Sequence, residues 1–94
     1  MTKIRSFANV WDALEDTPED AAMMTMRSTV MMAIKEQVRG WDTTQAKAAR
    51  RLGITQPRLN DLLNGKINKF SLDTLMTLAT RAGLKVRIDL RSAA

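Results

Sequence analysis

Apolar positions along the chain fall into short runs, and the spacing within each run predicts its element. Phe7, Val10, Trp11 and Leu14 recur at helical spacing, predicting a short helix or turn-rich segment that ends near Asp16, after frayed residues 1–6. Thr17-Pro18-Glu19-Asp20 reads as a helix start, with Thr as cap and Pro at the first position, where a missing N–H costs nothing. The helix predicted from there runs to Arg39 and stops at Gly40, with Met23, Met26, Val30, Ile34 and Val38 as its core stripe. Met24, Met31 and Met32 lie off that stripe.

Two short helices follow in residues 43–66, TTQAKAARRLGITQPRLNDLLNGK. Thr44 caps the first, QAKAARRL, which holds only good helix formers and places Ala46, Ala49 and Leu52 on one face. Gly53 ends it, since glycine accepts the left-handed conformation that other residues resist. Thr55 caps the second, which is expected over 56–63 with Leu59, Leu62 and Leu63 buried and Asn64-Gly65 as its stop. A small residue at Ala49 lets the two helices cross closely. Trp41 is expected to lid the helix junction, and Ile67 and Phe70 to anchor a basic loop. Ser71 caps a last helix with Leu72, Leu75, Ala79 and Ala82 inward, ending at Gly83.

The period then changes from helical to two. Leu84, Val86, Ile88 and Leu90 alternate with Lys85, Arg87, Asp89 and Arg91, the pattern of a half-buried strand. A lone strand needs a pairing partner for its backbone groups. The same strand of a second subunit, antiparallel across a two-fold axis, satisfies it; a hairpin with residues 2–7 is the competing arrangement. The expected fold is therefore mainly α: four to five helices and one C-terminal β-strand, paired across a dimer. The expected division is an N-terminal segment over 1–16, a helical domain over 17–83 and a dimerising strand over 84–91.

Composition narrows the chemistry. The 94 residues contain no Cys and no His, which removes disulfides, thiol nucleophiles, zinc fingers and a Ser–His–Asp triad. The carboxylates are scattered rather than paired, so no catalytic residues are expected and an enzyme is disfavoured. Five of the seven Met residues fall within 23–32, but without Cys or His they suit core filling or an adaptable partner-binding face better than a metal. No metal or cofactor is expected. The most apolar stretch, 21–34, is too short to span a bilayer and is broken by Arg27, and no secretion signal is evident; a cytoplasmic protein is expected.

The net charge of +5 is unevenly placed. Residues 1–42 hold five basic and seven acidic side chains, whereas 43–94 hold ten basic and three acidic. A basic half containing a two-helix unit is the footprint of a polyanion binder, with a solvated basic surface as the plain alternative. On the second short helix, Gln56, Asn60 and Asn64 carry amides able to pair with adenine, Arg58 suits guanine, and Asp61 accepts from cytosine. Asn64, Lys66, Lys69 and nearby backbone N–H groups suit phosphate. An ordinary solvated helix face is the alternative reading of these polar residues.

Residues 43–66 resemble the helix-turn-helix of the Xre/Cro repressor group, with the lambda-repressor-like fold. The pieces FANVWDAL, TQAKAARRLGITQPRLNDLLNGK and KFSLDTLMTLATRAGLKVRIDL, in this order, are similar to small HigA-like antitoxins. The resemblance implies an antitoxin that neutralises a RelE/HigB-like mRNA interferase toxin and represses its own operon as a homodimer on an inverted-repeat operator in double-stranded DNA. It implies phosphate contacts from Gln45 and Asn64, which Thr44, Lys66 and Lys69 join as candidates here, and base reading by Gln56, Arg58 and Asp61, with Pro57 and Asn60 beside them. Pro57 departs from the polar residue common at that place and offers an apolar surface, suited to a thymine methyl. Phe7, Val10, Trp11 and Leu14, amid Asp12, Glu15, Asp16, Glu19 and Asp20, are the candidate toxin-binding segment, although a solvated acidic face explains the carboxylates equally simply. Two rivals stand beside this reading: a stand-alone repressor of phage or prophage type without a toxin, and an interaction module that binds any DNA weakly.

Overall fold

The computed structural model describes Trp11, residues 13–15 and residues 17–92. Among the described residues, Trp11, Ala13 and Leu14 are helical, and Glu15 N–H donates to the Trp11 carbonyl. Helix α1 spans Pro18–Arg39. Thr17 caps it through its hydroxyl, which accepts the Asp20 N–H at 3.1 Å. Glu19 and Asp20 in the first turn and Arg39 in the last complement the helix dipole. Next come α2 (Gln45–Leu52), α3 (Gln56–Leu63), a 3-10 turn (Ile67–Lys69) and α4 (Leu72–Arg81).

One core joins them. Helix α1 lies along α4, and α2 packs on α3. Ile34, Leu52, Leu59, Leu62, Phe70, Leu75 and Leu78 are each below 2% exposed. Each contributes on the order of 1.5–3 kcal/mol by leaving water. Ala48, Ala49, Ala79 and Ala82 fill the close approaches between these larger side chains. Trp41, Leu63, Ile67 and Leu84 pack on the core from its margin, so Trp41 takes the lid position expected of it. Gln37 reaches from α1 to donate to the Ala82 carbonyl at 3.1 Å, tying α1 to the end of α4.

The limits of α2 and α3 coincide with those read from caps and glycines, but two buried stripes are corrected. The buried positions of α1 are Ala21, Met24, Ser28, Met31, Ile34 and Val38. Met23 and Met26 instead stand 40% and 43% exposed. Methionines on both faces left the register open, and the polar Ser28 disguised the true stripe. Ser28 is tolerated inside because it accepts a hydrogen bond from the Trp11 indole N–H at 2.6 Å. On α2 the inward alanines are Ala48 and Ala49, while Ala46 faces solvent. A run of alanines gives spacing little power to choose among them.

The C-terminal segment is the larger departure. Residues 84–92 carry no strand in the single chain. Leu84 tucks against the core, with its N–H on the Ala79 carbonyl, but exposure rises outward to 66% at Ile88 and 89% at Leu90. No described segment runs beside it as a pairing edge, so its alternation has nothing to act on within one chain. The rival hairpin partner, residues 2–7, and the candidates Phe7 and Val10 lie outside the described residues.

Candidate nucleic-acid interface

The junction between α2 and α3 is built from the backbone upward. Gly53 adopts φ +70°, and the N–H groups of Gly53 and Ile54 return to the carbonyls of Arg50 and Ala49. That closure is a left-handed helix stop. Arg81 of α4 adds a guanidinium hydrogen bond to the Leu52 carbonyl at 3.1 Å, so the end of α2 is held by another element. Thr44 and Thr55 cap α2 and α3, accepting the N–H of Lys47 and Arg58 at 3.2 and 3.3 Å. Pro57 fits the first turn of α3, where no N–H is needed.

With Leu59 and Leu62 inward, α3 presents Gln56, Pro57, Asn60 and Asn64 to solvent. These exposed groups are mostly amides, each a donor and an acceptor in one plane. Arg58 and Asp61 behave differently. The Arg58 guanidinium lies 3.9 Å over the Phe70 ring and donates to the Lys69 carbonyl at 2.6 Å. The Asp61 carboxylate pairs with Lys66 at 3.4 Å and Lys69 at 3.6 Å. Partial desolvation tends to raise the Asp61 carboxyl, but the Lys66 hydrogen bond and the charges of Lys69 and Lys66 outweigh it and hold the carboxyl below its ordinary value.

Thr44 and Gln45 stand exposed at the N-terminus of α2, where backbone N–H groups favour an anion. A surface cleft of about 310 Å³ separates them from α3, lined by Arg39, Asp42, Ala48 and Leu63 among others. Asp42 adopts φ +51°, an uncommon conformation for a residue with a side chain, where the chain turns from α1 into α2. Lys66 and Lys69 lie at the far end of α3, each about half-exposed. One set of phosphate candidates thus borders the cleft shared with Leu59 and Leu63, and the other lies in the basic loop that follows α3.

Spacing had not revealed two further cations. Lys35 of α1 approaches the Gly65 turn, its ammonium 4.0 Å from where a Cβ would stand, so it joins the basic loop. The corrected α1 register would have found it, since Lys35 stands one turn after the buried Met31. Arg51 stacks 4.0 Å from the Trp41 ring centre, which holds its charge beside the junction. Among the described residues no three carboxylate, His or Cys groups gather as a metal site, and no helix is long and apolar enough to cross a membrane.

Two capped short helices across a left-handed glycine stop, the second with an exposed polar face beside a basic loop, define a DNA-binding helix-turn-helix unit. The chain belongs to the family described as Helix-turn-helix domain, whose model matches residues 13–91. No match was found among curated proteins.

Proposed function

We propose that this protein is an Xre-type repressor that reads an inverted-repeat operator as a homodimer, and that it serves as the HigA-like antitoxin of a RelE/HigB-like toxin. The observation that carries the DNA reading is the exposed amide face of α3, with Thr44 and Gln45 on the cleft they share with Leu59 and Leu63, and with Asn64, Lys66 and Lys69 at its C-terminal end. A dimer sets two such helices in successive major grooves, about 34 Å apart. The alternating segment Leu84, Val86, Ile88 and Leu90 supplies the dimer strand: three of its four apolar side chains are exposed in one chain and would be covered by pairing. The protein acts in the bacterial cytoplasm, at the nucleoid.

The antitoxin role rests on resemblance and on the segment carrying Phe7, Val10, Trp11 and Leu14. Leu14 is 66% exposed and offers a partner an apolar contact. Trp11 favours the second reading, a stand-alone repressor, because its indole is already engaged by Ser28. Co-purification with the product of the adjacent reading frame, followed by footprinting on upstream DNA, separates the two. A stable complex protecting an inverted repeat supports the antitoxin; protection by this chain alone, with no protein partner, leaves the stand-alone repressor.

A further inference from the structure

Five residues of α3 carry or flank base-reading chemistry, yet they do not point to the same place. Arg58 and Asp61, three apart, share the side of α3 that faces the 67–69 turn. Arg58 is held there by the Phe70 ring at 3.9 Å and by a 2.6 Å bond to the Lys69 carbonyl. Reaching a guanine would break a short charge-assisted bond and uncover a ring that is 1% exposed. Asp61 is held by two lysines and, through its own carbonyl, by the Lys66 N–H at 3.0 Å. Reaching a cytosine would strip the carboxylate of both cations. Gln56 and Asn60, four apart on the neighbouring face, are exposed and span about 6 Å of helix axis, roughly two base-pair steps.

We infer that Arg58 and Asp61 are positioning residues that latch α3 to the 67–69 turn and to Lys66 and Lys69, and that direct base reading belongs to the amides of Gln56 and Asn60. Amides pair bidentately with adenine N6 and N7, so the recognised positions in each half-site are A·T pairs. Pro57 beside them fits the thymine methyl of such a pair. The inference rests on the DNA-reading function proposed above and narrows it to a base class.

The test is selection of duplexes from a randomised pool by the full chain, followed by base-analogue substitution in the selected site. Replacing each recognised adenine with 7-deazaadenine weakens binding by roughly tenfold, whereas 7-deazaguanine anywhere leaves it unchanged. Gln56→Ala and Asn60→Ala each erase preference at one position of the half-site. Asp61→Asn leaves the selected motif unchanged but steepens the log–log salt dependence by about one, because the freed lysines now carry their own counterions. Arg58→Met weakens all sequences alike. A guanine whose N7 is required by the wild-type chain, or a motif column lost with Asp61→Asn, overturns the latch. The guanine test uses the wild-type protein and stands even if Arg58→Met does not fold. A wild-type pool that stays random overturns the DNA-reading function itself, a distinct result.

Discussion

Gly53 shows how much a single position sets. Its φ of +70° lies where an L side chain costs about 1–2 kcal/mol, and a Cβ there would stand 2.9 Å from the Arg81 guanidinium. Gly53→Ala therefore destabilises the fold by at least about 1 kcal/mol in urea melts, and it loosens the Arg81 hold on α2 as well. This glycine was legible from sequence, because a helix pattern stopped at it and a capping Thr restarted two residues later. The side chains around Arg58 were not. Its chemistry names a guanine reader, but its partners, Phe70 and the Lys69 carbonyl, lie outside α3 and are brought to it by the fold. Ser28 was hidden in the same way, since its donor, Trp11, is seventeen residues away. Ser28→Ala leaves the indole N–H without that partner and costs on the order of 1 kcal/mol, with a change in tryptophan fluorescence.

Elements follow from caps and packing rather than from intrinsic helix strength. At eight residues, α3 is too short to persist alone and depends on its cap and on the Leu59 and Leu62 contacts. Thr55→Ala removes an N-cap and costs about 0.5–2 kcal/mol in chemical unfolding. It should also weaken DNA binding across all sequences, since the reading face frays with the helix. Local signals of this kind made the limits of α2 and α3 readable, but not which alanines of α2 turn inward nor that Leu78 of α4 is buried. They failed for the register of α1, where methionines occupy several faces and apolarity alone cannot choose among them. The segment 84–91 shows the opposite limit: its period is plain, but a strand exists only with its partner.

For the whole molecule, charge and symmetry carry the account. With no histidine in the chain, no side chain of ordinary pKa titrates near neutrality. Asp61 is held below its ordinary value, so its stabilising contribution is complete above that value and is lost only as pH falls through the lowered one. Stability should thus be flat between about pH 5.5 and 7 in chemical unfolding at constant salt, and fall only in acid. Symmetry makes its own demand. Ile88→Asp places a charge on the proposed dimer strand, so sedimentation should show a monomer, and operator affinity should drop because only one half-site is held at a time.

The most direct measurement is a hydroxyl-radical footprint of the wild-type chain on the duplex upstream of its own reading frame. Two protected blocks are expected on one face of the DNA, about one helical turn apart, at concentrations that leave an unrelated duplex unprotected. Even protection of both duplexes at the same concentration would contradict it, leaving a basic helical domain that binds DNA without reading it.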